Sequence, residues 1–310
     1  LVVSNSEKVA VRNYLLLVVG PTAVGKTNLC LNLAKKFKTE IVSCDSRQFY
    51  REMNIGTAKP TESELREVPH HLINTLSITD EYDVRKFEKD ALEELSTIFE
   101  KSRFAILTGG SGLFADAVIN GLDEIPDVDP RIRQEIIAAY QTNGLEWLQA
   151  EVEKADPEYY ALVDRHNPQR LMRGLEVFRG TGSKFSGFRI KKKTDRKFIP
   201  LKVGLERDRE ELYRRIDQRM DQMVLAGLLE EARSLYPYRH LNALQTVGYT
   251  EVFGYLEGLY DWEEAVRLLK RNSRRYAKRQ LTWFRRDEEI HWFHPDQLEE
   301  IAAWIGAQIG

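Results

Sequence analysis

The sequence has little of what staples or anchors a chain. Its 310 residues contain two cysteines, Cys30 and Cys44, in no CxxC pair. That excludes a disulfide framework and a cysteine-based zinc site, and it fits a reducing compartment. Cys30 reads as plain helix packing. No apolar run approaches 18 residues, and the opening LVVSNSEKVAVRN lacks the basic start and continuous apolar centre of a secretory signal. A frayed N-terminus, no membrane partner and a cytoplasmic location are the expectations. The net charge is only -2, so nothing pulls the whole molecule toward nucleic acid, and such a partner must be met by local clusters. Internal repeats and low-complexity tracts are missing too. With 42% hydrophobic residues the chain can still bury a full core, in one large domain with a smaller one attached.

Short β-rich runs at 14–20, 40–44 and 103–109 alternate with helical patterns. This is the mark of a parallel sheet with helices on its faces. Between them Val84, Phe87, Ala91, Leu95 and Phe99 recur at three- and four-residue spacing, which predicts an amphipathic helix packed on the sheet. From about residue 124 the pattern is helical without strands to about 181, and strand-like FIPLKVGL and EIHWF return later. The organisation is therefore α/β, with residues 12–123 and 195–310 as the core and 124–194 as a smaller all-helical insertion domain.

The stretch GPTAVGKT follows an apolar strand and opens a helix. Its Gly20, Gly25, Lys26 and Thr27 meet the spacing G-x-x-x-x-G-K-[ST], so the core reads as P-loop NTPase-like. The loop Gly20, Pro21, Thr22, Ala23, Val24, Gly25, Lys26 and Thr27 would turn the backbone N–H groups of its non-proline residues toward phosphate oxygens at a helix N-terminus. Lys26 would neutralise those oxygens, and the Thr27 hydroxyl would sit on Mg²⁺ bridging the phosphates. The chemistry stays open, because this cradle serves nucleotide hydrolysis, phosphoryl transfer or any reaction that must hold a diphosphate.

In an open parallel sheet ligands bind beyond the carboxyl ends of the strands. Asp45, after the second strand, should thus lie across the crevice from the loop. It can ligate Mg²⁺, act as a general base or cap its own turn. The turn LTGGSGLF adds Gly109, Gly110, Ser111 and Gly112, with the Ser111 hydroxyl on the same rim. Residues 267–286 hold nine Lys or Arg and no acid, interleaved with Tyr276, Trp283 and Phe284, and a second basic cluster spans 189–197. The pattern suits a phosphate backbone with aromatic stacking beside it.

GPTAVGKT, SCDSRQFY, MNIGTAKP, PHHL, LTGGSGLF and NPQRLMRGLEVF occur in the order and spacing of the tRNA dimethylallyltransferase family, which this chain resembles from about residue 15 to 286. It differs in having Ser111 and Phe114 where the family more often has Thr and Tyr, and in the residue at Arg47. The resemblance implies transfer of a five-carbon group from dimethylallyl diphosphate to the exocyclic amine of the adenosine just 3′ of a tRNA anticodon. It implies Asp45 as the base, Thr22 and Ser111 lining the reacting centre, and Arg219 reaching the diphosphate. It implies tRNA contacts from Asp45, Ser46, Arg47 and Gln48, with Ser46 and Gln48 reading the extruded base. Further tRNA contacts would come from Ser111, from Arg133, and from Gln169, Arg170, Leu171, Met172 and Arg173. QTVGYTE resembles a further motif near the substrate channel. A bacterial-type chain is expected, since no C-terminal zinc-ligand cluster is present, and a monomer is expected as well.

Three rivals share parts of this pattern. A metabolite kinase would use the same loop with ATP. An adenylate isopentenyltransferase would prenylate a free nucleotide, and a non-enzymatic RNA-binding module would use only the basic surface.

Overall fold

The computed structural model describes residues 12–190 and 194–309. The opening stretch and Lys191 to Lys193 of the second basic cluster lie outside the described residues. Two compact units divide the chain, one of residues 1–119 with 195–310 and one of residues 120–194.

In the larger unit, β1 (Tyr14–Val19) leads through the phosphate loop into α1 (Lys26–Phe37), followed by β2 (Ile41–Ser43), α2 (Glu62–Glu67) and β3 (His70–His71). Next come α3 (Val84–Phe99), β4 (Phe104–Gly109) and α4 (Gly112–Asn120). The smaller unit supplies α5 (Pro130–Ala155), α6 (Pro157–Leu162), α7 (Pro168–Thr181) and α8 (Phe185–Phe188). The chain then adds β5 (Ile199–Leu205), α9 (Arg209–Leu225), α10 (Leu228–Leu235), α11 (Tyr249–Leu256), α12 (Trp262–Phe284), β6 (His291–Phe293) and α13 (Leu298–Ile309).

Six strands form one sheet in the order β3-β2-β4-β1-β5-β6, every neighbouring pair parallel. The central strand β1 is buried along its whole length, which is why its sequence is a continuous apolar run rather than an alternating one. The α3 helix falls where its periodicity predicts. Asp83 caps it by accepting from the amides of Arg85 and Lys86, and Phe87, Ala91, Leu95 and Ile98 are its buried side. Because β1, β2 and β4 run the same way, their carboxyl ends converge, and the loops after them build the site.

Within the smaller unit α5, α6 and α7 each begin with an Asx–Pro pair: Asp129–Pro130, Asp156–Pro157 and Asn167–Pro168. Each Asx side chain accepts a first-turn amide, and proline fills a position whose N–H has no helical partner. Its core gathers Ile136, Leu148, Val152, Tyr159, Leu171, Met172, Leu175 and Phe185.

Candidate active site

The phosphate loop is held in shape by its own lysine and by arginines behind it. Lys26 Nζ donates to the carbonyl oxygens of Gly20 at 2.8 Å and Pro21 at 2.9 Å. Burial, reinforced by the charge of Arg219, lowers its pKa to about 8. Ala23 sits at φ 64°, a left-handed conformation that costs a non-glycine residue about 1–2 kcal/mol. Three successive loop residues are gripped from outside. Arg219 reaches Thr22 Oγ1 at 3.5 Å, Arg215 Nε donates to the Ala23 carbonyl at 2.9 Å, and Arg207 Nε donates to the Val24 carbonyl at 2.8 Å. Burial first, and then Arg215, lower the pKa of Arg219. Lys26 and Arg219 face one cavity, with Asp45 the carboxylate that acts on Lys26, and the pair suits an anionic ligand.

The loop opens into a cavity of about 150 Å³ whose lining includes Thr22 to Thr27, Asp45, Arg47, Gly109, Gly110 and Arg219. Asp45 therefore faces the phosphate loop across one cavity. Its Oδ1 accepts from the Arg47 amide at 3.0 Å, so the residue caps its turn and lines the cavity at once. Burial raises its pKa, opposed by the Arg47 amide and by Lys26. A carboxylate so raised is a stronger base than one in water. Gly109 shows why the strand ends come so close, since a Cβ there would lie 2.6 Å from the Cys44 backbone.

Several residues expected at this centre take other positions. Ser111 and Ser46 do not line the cavity; they form a pair beside it, the Ser46 amide donating to Ser111 Oγ and Ser111 Oγ to Ser46 Oγ, both at 3.0 Å. Gly20 and Pro21 are buried and do not line it. Gln48 lines the cavity, but its amide is spent on the protein, donating to the carbonyls of Thr57 at 3.2 Å and Ala58 at 3.4 Å. Of the two side chains expected to read the base, Gln48 thus lines the cavity with its amide nitrogen already bonded, and Ser46 lies off the lining. Thr246, Val247 and Gly248 of QTVGYTE do line the cavity.

Other wall residues carry no local signal in the sequence. Tyr276 and Gln280 project into the cavity from α12, and Met220 and Met223 from α9. Burial, then Asp45, push the pKa of Tyr276 up to about 12. Glu231 of α10 pins the wall loop by accepting from the amides of Asn54, Ile55 and Gly56 and from the Tyr249 hydroxyl, at 2.7–3.0 Å. Both thiols are buried; burial pushes Cys30 up to about 12 and raises Cys44 as well, so neither is a nucleophile.

The basic surfaces are smaller than the composition predicts. On α12, Arg267 pairs with Glu264, Lys270 with Asp221 and Arg274 with Asp217, and beyond the helix Arg285 pairs with Glu206. Arg275, Lys278, Arg279 and Arg286 are exposed and make no ion pair among the described residues. Arg275, Lys278 and Arg279, at three- and four-residue spacing on α12, leave one basic stripe without such pairs, and Arg286 follows just past the helix end. In the second cluster Arg196 pairs with Glu88, and Arg189 lies over the rings of Tyr159 and Phe185.

Of the helical unit's expected tRNA contacts, Leu171 and Met172 are core side chains, 0% and 3% exposed. Arg133 and Arg173 both donate to Glu176, at 3.1 Å and 3.0 Å. What this stretch offers outward is Gln169 and Arg170.

A parallel sheet, a cationic phosphate loop and a carboxylate facing that loop define a P-loop α/β protein equipped for chemistry beside a bound diphosphate. The sequence model described as IPP transferase matches residues 48–287. A tRNA dimethylallyltransferase of Cytophaga hutchinsonii is 48% identical over 299 residues, 96% of this chain and 98% of that one. One of Christiangramia forsetii is 50% identical over 285 residues, 92% of this chain and 94% of the relative. The crystal structure of the tRNA isopentenylpyrophosphate transferase of Bacillus halodurans superposes with a TM-score of 0.71 at 39% identity, covering 96% of this chain and 97% of that one. A eukaryotic dimethylallyltransferase acting on tRNA gives a TM-score of 0.77 at 25% identity, over 93% of this chain and 75% of that chain. The chain belongs to the IPP transferase family.

Proposed function

We propose that this protein transfers the dimethylallyl group of dimethylallyl diphosphate to the exocyclic amine of the adenosine 3′-adjacent to a tRNA anticodon. The placement of Asp45 across a single cavity from Lys26 and Arg219 carries this reading. The C–O bond to the diphosphate breaks with its electron pair staying on oxygen, and a bond from the amine nitrogen to the freed allylic carbon forms. The amine's surplus proton passes to Asp45. Lys26, Arg219 and the loop amides other than those of Thr22 and Val24, which bond within the protein, stabilise the charge that collects on the departing diphosphate. Met220 and Met223 give the five-carbon chain an apolar wall.

Among the described residues no cluster of three or more His, Cys, Asp or Glu could hold a metal alone. Thr27 lines the cavity, and its hydroxyl would hold Mg²⁺, a cation that needs few protein ligands. When bound, Mg²⁺ adds charge neutralisation at the leaving group. Among the described residues no helix is long and apolar enough to cross a membrane.

The test is incubation with dimethylallyl diphosphate, Mg²⁺ and unmodified tRNA, followed by mass analysis of the nucleosides. A five-carbon gain on adenosine is expected; gain only on added adenosine monophosphate would favour the free-nucleotide transferase, and phosphoryl transfer from ATP the kinase.

The RNA contact is assigned to the free stripe on α12. Neutralising Arg275 and Lys278 together should weaken tRNA binding about tenfold at 0.1 M salt and flatten its salt dependence. Neutralising Arg274 should leave that slope unchanged, because its charge is already spent on Asp217. Fluorescence titration across a salt series distinguishes the two.

A further inference from the structure

Gln280 is 6% exposed and bonds the phosphate loop on one side and the β4 turn on the other. Its Oε1 accepts from the Thr22 amide at 2.9 Å, and its Nε2 donates to the Gly110 carbonyl at 2.9 Å. Gly110 has no room for a Cβ, which would run into the Gln280 amide nitrogen. Thr22, Gly110 and Gln280 all line the cavity. An amide side chain accepts at one end and donates at the other without carrying charge at any pH. The Thr22 amide is therefore committed to α12, while the Thr22 hydroxyl lies within reach of Arg219.

We propose that Gln280 is a positioning residue for prenyl transfer. It fixes Thr22 at the lip of the phosphate loop and sets the spacing between that loop and the β4 turn. The proposal rests on the reading of the site as a prenyl-diphosphate cradle, and it assigns Gln280 no contact with the reacting atoms. Without the bridge, the half-buried Thr22 N–H and the buried Gly110 carbonyl lose their partners at the place where the diphosphate must be gripped.

Two variants test it. Gln280→Met keeps the volume and removes both bonds; kcat/KM for the donor should fall by roughly tenfold or more, with KM for tRNA unchanged. Gln280→Glu can rebuild both bonds only when protonated, accepting from Thr22 with its carbonyl oxygen and donating to Gly110 with its hydroxyl. Its activity relative to wild type should therefore rise as pH falls, whereas the Met variant's ratio stays flat. Circular dichroism and calorimetric titration with inorganic diphosphate accompany both variants. Weaker diphosphate binding by folded Met variant supports the bridge, as does acid rescue of the Glu variant. A Met variant within twofold of wild type in donor kcat/KM and diphosphate affinity overturns it. So does a Glu variant whose ratio to wild type does not change with pH, and this result decides the matter if the Met variant does not fold. Diphosphate affinity is read without tRNA, so failure of wild-type enzyme to prenylate tRNA would count against the reaction and not against the bridge.

Discussion

Asp45→Asn is expected to lower turnover by about 10²–10⁴, the usual contribution of a positioned general base. Asparagine is the informative replacement because Asp45 has two roles. Its Oδ1 accepts the Arg47 amide at 3.0 Å, and an asparagine oxygen can do the same. The turn therefore stays capped while the proton acceptor is lost. Single-turnover prenylation at saturating donor and tRNA measures the chemical step, and titration with inorganic diphosphate confirms that the cradle is intact. Turnover within threefold of wild type would remove Asp45 as the base. In the wild-type enzyme the rate should rise with pH through the raised pKa of Asp45, since only the carboxylate accepts a proton. The sign for stability is opposite. A carboxyl with a raised folded-state pKa contributes stability below its unfolded pKa of 3.8, and that contribution is lost as pH rises through the folded value.

Lys26→Met should weaken diphosphate binding by roughly 100-fold or more, because charge-assisted hydrogen bonds contribute about 1.5–3 kcal/mol each. The pH dependence makes this prediction specific. Lys26 has a pKa lowered to about 8 by burial and by Arg219, and an arriving diphosphate brings negative charge and raises it again. Binding near pH 8.5 should take up protons, and affinity should decline as pH rises above about 8. Calorimetry in two buffers of different ionisation heat reads the uptake directly. Wild-type binding without proton uptake, or equal uptake by the Met variant, would show that another group titrates. In the ligand-free protein the lowered pKa disfavours the charged form, so its effect on stability improves between about 8 and 10.5 as the folded state sheds a proton that the unfolded chain keeps.

Taken with the Asp45 limb, the pair predicts a bell-shaped profile of kcat/KM for the donor.

How much of this could be read from the sequence depended on how local the causes were. The phosphate loop, β1 and α3 are legible because each is defined by neighbours along the chain: a spacing, an apolar run or a helical period. The two-residue strand β3, made of His70 and His71, is not, since no apolar pattern marks it and only pairing with β2 makes it a strand. Gln280 meets the Thr22 amide across 258 positions of sequence, and nothing beside it announces a partner. Counting charges overstated the basic helix for the same reason, because the partners of Lys270 and Arg274 lie on α9. Leu171 and Met172 are a different kind of miss. With Leu175 they sit at core spacing on α7, and helical period alone marks them as interior. The three Asx–Pro pairs likewise announce helix starts without any structure.

Arg219, Arg215 and Arg207 secure Thr22, Ala23 and Val24 before any ligand arrives. A cradle built in advance loses little freedom when it is filled, and it fits the departing diphosphate as well as the incoming donor. On the proposed reaction this makes pyrophosphate a competitive product inhibitor. Throughput then depends on how quickly the surroundings hydrolyse what the enzyme releases.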